Sequence, residues 1–327
     1  MGNYTQIESE FNNRLAPKIN EYYLNLQQKD MPIDQNQLQK IIYTELLFFR
    51  KDKMEDLYKY TNRNVICYYS TWLQGNTANP NPEVMINDND INGFMNAVSQ
   101  LDKNKGLDLI LHTPGGVVTA TESIVSYLRK VFNGDIRVIV PHLAMSAGTM
   151  IACSSREIIM GKESSLGPVD PQYRNVPAQG VLKEFEEAMK QTTSSPNRSL
   201  IWKEIIGQYR PTFLGECENV VKLSNDLVRE WLETCMFKKS KNKDKKIKKI
   251  IDELASHDAS KVHDRHYDYI KCKNLGLKVK MLESDSILQD KVLSIYHSYV
   301  LSTYTLSNSI KFIEAHNGNT LTIRGNR

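Results

Sequence analysis

Ile136-Arg137-Val138-Ile139-Val140-Pro141-His142-Leu143-Ala144-Met145-Ser146-Ala147-Gly148-Thr149 is the stretch that decides the fold. It opens as a β-branched apolar strand, turns through a proline-led connection, and closes on small residues that begin a short helix. The segment before it has the same plan. Strand Leu107 to Leu111 leads through Pro114-Gly115-Gly116 into a helix whose Ile124, Val125, Leu128, Val131 and Phe132 lie on one face, stopping at Asn133-Gly134-Asp135. Ile158-Ile159-Met160 follows as a third strand. Strands alternating with helices predict a parallel sheet with right-handed crossovers, in which ligands bind at the carboxyl ends of the strands. The Gly115-Gly116 turn and Ser146 both fall at such ends.

Acyl transfer needs a nucleophile and donors for the oxyanion that forms. Ser146 offers the hydroxyl, and its small neighbours Ala144, Ala147 and Gly148 would let a substrate backbone approach, beside a helix start that favours an anion. A serine before a helix is also a common N-cap. A diglycine after a strand permits the positive φ that turns an N–H outward, so Gly115 and Gly116 are oxyanion candidates, paired with the N–H of Ala147. His112, at a strand end, and His142, four residues before Ser146, are candidate cleft residues; Asp170, between Val169 and Pro171, suits either base orientation or a turn.

The rest of the chain bounds the function class. In 327 residues, 40% are hydrophobic and 24% charged, which describes an ordinary globular chain with room for a large core. No stretch approaches the roughly eighteen apolar residues of a membrane span, and Met1 to Gln6 carries no signal-peptide pattern, so a cytoplasmic protein without membrane contact is expected. The five cysteines are scattered without C-x-x-C spacing, which argues against disulfides and zinc. The net charge of +4 is local, because eight lysines fall between Lys238 and Lys249; no aromatics interleave them, so a solvated linker is expected rather than a nucleic-acid site.

Residues 1–58 read as helices preceding the core, and Val65-Ile66-Cys67-Tyr68-Tyr69 as its first strand. Asp88-Asn89-Asp90 offers caps for a helix through Ile91, Phe94, Met95 and Val98. The expected divisions are an N-terminal helical segment (1–58), a core with Ser146 (59–237), a lysine-rich linker (238–250) and a C-terminal segment packed on the core (251–327).

Three blocks in order, His112-Thr113-Pro114-Gly115-Gly116-Val117, Ala144-Met145-Ser146-Ala147-Gly148-Thr149 and Ser165-Leu166-Gly167-Pro168-Val169-Asp170-Pro171-Gln172, resemble the serine dehydrogenase proteinase (SDH) family of Clp-fold serine proteases. These are relatives of the Clp protease subunit and of signal peptide peptidase A. The resemblance extends through Arg63-Asn64-Val65-Ile66 and to His263 and Leu275-Gly276-Leu277-Lys278-Val279, covering about residues 60 to 300. It implies an α/β fold of the Clp/crotonase type with β-β-α superhelical units, here with N-terminal helices and a helical C-terminal extension. It further implies Ser146 as nucleophile, oxyanion donors from Gly116 and Ala147, a peptide or protein substrate, a homo-oligomer and no cofactor or metal.

The base is left open. Where the Clp subunit has its histidine, this chain reads Val169-Asp170-Pro171; signal peptide peptidases use a lysine. Lys183, beside apolar Val181, Leu182 and Phe185, is the first candidate, since burial lowers a lysine's pKa toward the working range. His263 is the second, and a neighbouring subunit is a third source. Crotonase-like acyl-CoA chemistry and a catalytically silent scaffold are the competing readings.

Overall fold

The structure is a computed structural model that describes residues 2–74, 81–173, 176–255, 265–306 and 308–325. Helices α1 (Tyr4–Lys29) and α2 (Gln35–Thr61) precede strand β1 (Asn64–Ser70), and α3 (Asp90–Val98) leads to β2 (Leu107–His112). There follow α4 (Val118–Val131), β3 (Ile136–Val140), β4 (Leu143–Ala144), α5 (Ala147–Cys153), β5 (Glu157–Met160) and β6 (Ser165–Leu166). A small hairpin, β7 (Gln172–Tyr173) and β8 (Val176–Pro177), opens a helical stretch of α6 (Ala178–Ser194), α7 (Ser199–Ile206), α8 (Phe213–Trp231) and α9 (Lys243–Leu254). The chain then forms α10 (Tyr269–Leu275), β9 (Val279–Met281), α11 (Ser286–Thr305), β10 (Ser309–Ala315) and β11 (Thr320–Arg324).

Seven strands make one sheet in the order β11-β10-β1-β2-β3-β5-β9. From β1 to β9 the pairings are parallel, whereas β10 runs antiparallel to β1 and β11 antiparallel to β10. Helices cover both faces, so the central strands are apolar on both sides and lack polar alternation. On β2, Leu107, Leu109 and Leu111 pack toward α3, α4 and α5, while Ile110 joins Cys67, Tyr69 and Ile139 against α2 and α11.

Three expectations are corrected. The C-terminal extension is not wholly helical, because residues 309–324 supply two strands of the main sheet. Ile310, Phe312 and Ile313 are buried there, and the hairpin turns at Asn317-Gly318-Asn319 with Gly318 at φ 94°. The lysine run is not a linker throughout: α9 begins at Lys243 and buries Ile247, Ile250, Ile251 and Leu254, leaving its lysines on the opposite face. Finally, Asp90 does not cap α3; Asn89 makes no side-chain cap, and Asp90 turns inward to the Lys311 ammonium at 2.6 Å.

All five cysteines are free thiols. Among the described residues, no helix is long and apolar enough to cross a membrane.

Candidate active site

Ser146 occupies the N-cap position of α5, yet it does not behave as a cap. Its side chain accepts nothing from the helix, and its backbone sits at φ 49°, ψ −114°. Asp30 and Asn62, which also flank helices at positive φ, have positive ψ near the αL well. Ser146 is outside that well, in a region that costs a non-glycine residue about 1–3 kcal/mol and is found mainly where function maintains it. A serine on a sharp, strained strand-to-helix turn is presented outward. Ser146 is half-exposed, whereas Ala144, Ala147 and Gly148 around it are buried.

The burial revises the role of those small neighbours. A Cβ on Gly148 would lie 2.5 Å from Thr113 Cγ2, and Ala144 forms a parallel bridge with Thr113. Small residues here let two turns pack face to face, and the approach of substrate is a separate matter. The three sequence blocks meet through backbone bonds: Thr113 N–H to Leu143 O (3.0 Å), Met145 N–H to Thr113 O (3.0 Å) and Ser165 N–H to His142 O (2.7 Å). Thr149 completes the lock, its Oγ1 accepting from Gly167 N–H at 2.9 Å and lying 2.9 Å from Ala144 O.

The glycine turn abuts the serine directly. Gly115 has φ 102°, and a Cβ there would lie 2.7 Å from Ser146 Cβ and 3.0 Å from Ala147 N. Gly116 (φ 157°) backs onto Ile86, where a Cβ would approach the backbone nitrogen at 2.4 Å. The N–H of Gly115 is spent on Thr113 Oγ1 at 3.1 Å, which removes it from the expected oxyanion donors. Those of Gly116 and Ala147 donate to no acceptor among the described residues, leaving two main-chain donors beside one hydroxyl. Gly115→Ala is expected to reduce turnover by about 10²-fold or more, because its Cβ must displace the serine turn by a few tenths of an ångström or beyond. Steady-state kinetics with a circular dichroism control measures this; an unaltered kcat in a folded variant would show that the contact is not part of the working geometry.

Lys183 lies half-buried on α6, which packs against α8 through Val181, Phe213 and Cys217. Ser146 Oγ makes no hydrogen bond with Lys183 or with any other described residue. Asp170 is fully buried, as is His112. His263 lies outside the described residues.

His112 and His142 belong to an aromatic stack that also contains Tyr69, Trp72 and Tyr296. His112 is 4.3 Å from the Trp72 ring and 5.5 Å from that of His142, centroid to centroid, and His142 Nδ1 is 3.0 Å from Tyr296 Oη. Residues from positions 69, 72 and 296 were not foreseen for this neighbourhood, and only the adjoining strand end at Tyr69 offered a sequence signal.

Burial lowers the pKa of His112 well below 6.5, with His142 adding to the effect; it also lowers His142, His297 and His316. A depressed histidine pKa means that the unfolded chain binds more protons than the folded one below 6.5. Stability is therefore full above that pH and falls as the pH drops through it toward the folded values. Each histidine contributes a slope of at most about 1.4 kcal/mol per pH unit. Urea unfolding between roughly pH 7.5 and 5.5 should show this loss, and His112→Phe should flatten the slope by up to one proton. An unchanged slope would contradict the assignment.

Among the described residues, no group of three or more histidines, cysteines or acidic residues could hold a metal ion.

The chain is 34% identical over 186 residues to the uncharacterized protein MJ0137 of Methanocaldococcus jannaschii, covering 57% of each chain. It is 32% identical over 186 residues to the uncharacterized protein MJ1495 of the same organism, covering 57% of this chain and 56% of that one. The chain thus spans little more than half the length of these relatives. Residues 40–313 match the family described as ClpP-like SDH-type serine proteinase, and the chain belongs to that family.

Proposed function

We propose that the chain is a serine peptidase that hydrolyses peptide bonds through an acyl-enzyme on Ser146, on a superhelical β-β-α arrangement of the Clp/crotonase type. One observation carries this reading: a strained, half-exposed serine abutting a glycine turn, with the N–H groups of Gly116 and Ala147 unspent. In this mechanism the Ser146 hydroxyl loses its proton to a base as Oγ attacks the scissile carbonyl carbon. The carbonyl oxygen becomes an oxyanion and accepts from Gly116 and Ala147. The protonated base then gives its proton to the leaving amine, the C–N bond breaks, and water hydrolyses the ester by the reverse sequence. The base is a lysine or histidine brought to Oγ, with Lys183 and His263 the residues carried forward. Assembly as a homo-oligomer, with a neighbouring subunit able to supply that group, is part of the same reading, as is action in the cytoplasm without a cofactor.

Met85 and Val117, 44% and 49% exposed, flank the Ile86–Gly116 pairing and would meet apolar substrate side chains. A silent scaffold is favoured by one observation, that Ser146 Oγ makes no hydrogen bond to a lysine or histidine among the described residues. Catalytic hydrogen bonds often tighten only when substrate binds. The experiment is digestion of a mixed-sequence peptide library, with new amino termini read by mass spectrometry and a panel of acyl-CoA thioesters run alongside. Cleavage after apolar residues is the expected result; thioester turnover without peptide cleavage would transfer the site to crotonase-like chemistry, and neither activity would favour the scaffold.

A further inference from the structure

We propose that Lys311 and Asp90 are positioning residues for the Ser146 reaction, acting through Ile86 on the peptide that carries the Gly116 donor; this rests on the peptidase reading above. Ile86 donates its N–H to Gly115 O at 2.8 Å and accepts from Val117 N–H at 2.9 Å. In a trans peptide the carbonyl and N–H point in opposite directions. The bond from Ile86 to Gly115 O thus fixes the Gly116 N–H on the side away from Ile86, and a flip of that peptide would remove the donor. Glycine at both positions makes such a flip sterically accessible, so something outside the turn must hold it.

Ile86 belongs to no strand of the main sheet, and its placement comes from its two neighbours. The carbonyl of Met85 accepts from Lys311 Nζ at 2.8 Å, and the N–H of Asn87 donates to Asp90 Oδ2 at 3.2 Å. Lys311 and Asp90 close the frame with a 2.6 Å ion pair in which both side chains are fully buried. Tyr68 Oη donates to the same Asp90 Oδ2 at 2.8 Å. The cation comes from β10, opposite Ser70 of β1, so the last third of the chain reaches across the sheet edge to the catalytic turn. Burying an ion pair of this kind is often no more stabilising than packing apolar groups in its place, which leaves geometry as its contribution. The two main-chain bonds supply that geometry. Burial drives the lysine pKa down and the aspartate pKa up, consistent with a dry frame.

The test is the pair of variants Lys311→Met and Lys311→Met with Asp90→Asn. The double variant leaves no unpaired buried charge, so it keeps the question open to measurement if the single variant unfolds. It still lacks the donor to Met85 O. In the double variant, kcat should fall about tenfold to a hundredfold with KM within about twofold, and a peptide boronate should lose affinity in proportion to kcat/KM. Hydrogen exchange in segment 113–118 should accelerate while β2 and β3 remain protected. Loss of stability alone would alter none of these selectively. Unchanged kcat and unchanged exchange at 113–118 in the folded double variant overturn the inference. Should the wild-type chain cleave no peptide, the peptidase reading fails separately, and the exchange result still decides whether Lys311 and Asp90 hold the glycine turn.

Discussion

Ser146→Gly is expected to abolish turnover and at the same time raise the melting temperature. The two effects have different origins. Removing the hydroxyl eliminates the nucleophile, and loss of a nucleophile that acts in concert with its site costs at least ~10³-fold in kcat/KM. The stability gain comes from the backbone. At φ 49°, ψ −114°, serine holds a conformation that glycine reaches without a Cβ penalty. Relief of about 1–3 kcal/mol, less the roughly 0.5–1 kcal/mol that glycine loses in chain entropy, leaves a gain near ~1 kcal/mol. In a chain of this size that corresponds to a rise of roughly 2 °C. Ser146→Ala loses activity equally but keeps the Cβ and gains no stability, so the two variants separate chemistry from strain. Peptide hydrolysis and thermal unfolding of the three proteins provide the comparison. A Ser146→Gly protein that melts below wild type would show that the turn is not strained.

Arg50→Met should cost about 3–5 kcal/mol of stability. Arg50 is fully buried on α2 and donates from Nε and Nη2 to the two oxygens of Glu314 at 2.9 and 2.8 Å, and from Nη1 to Ser302 Oγ at 2.8 Å. Its guanidinium also lies 4.8 Å from the Phe312 ring centroid. Glu314 accepts additionally from Tyr299 Oη and Thr320 Oγ1, each at 2.8 Å. Burial alone would raise the Glu314 pKa, but Arg50 outweighs it and holds the carboxylate below its ordinary range. Methionine would leave that anion buried beside two neutral donors. The melting temperature should drop by several degrees, on the order of 5–10 °C. Adding Glu314→Gln should recover much of the loss, because neutralising both partners removes the unpaired charge. Calorimetry on the single and double variants tests this. A double variant no more stable than Arg50→Met would place the cost in packing of the Arg50 stem.

That buried pair also marks where the sequence was hard to read. Strands at Leu107 and Ile136 were legible because each is short, apolar and bounded by a proline or glycine turn, and parallel pairing follows from the intervening helix. The placement of Ser146 beside Gly115 followed from the same pattern. Strands β10 and β11 were missed: Lys311 and Glu314 interrupt the apolar run and read as surface residues, although both are buried with partners hundreds of positions away. No local rule anticipates a charge paired at a distance of 264 residues. The Asn317-Gly318 dipeptide was the available hairpin signal. Asp90 was misread for a related reason, since an aspartate at a helix start is usually a cap and its tertiary partner lies on β10. The spacing of Ile247, Ile250 and Ile251 reads as one helix face, and the lysine run hides only the first turn of α9, Lys243 to Lys246. At the site, the backbone angles of Ser146 and the spent N–H of Gly115 are conformational facts that residue identity does not encode.

In the proposed mechanism the Ser146 oxygen forms a covalent bond with the acyl group it receives. Reaction of the folded protein with a fluorophosphonate, followed by intact-mass measurement and peptide mapping, reads this nucleophilicity most directly. A single adduct is expected on the peptide containing Ser146, formed in step with loss of peptide hydrolysis and absent from Ser146→Ala. An adduct on another residue, or sustained hydrolysis in Ser146→Ala, would contradict it.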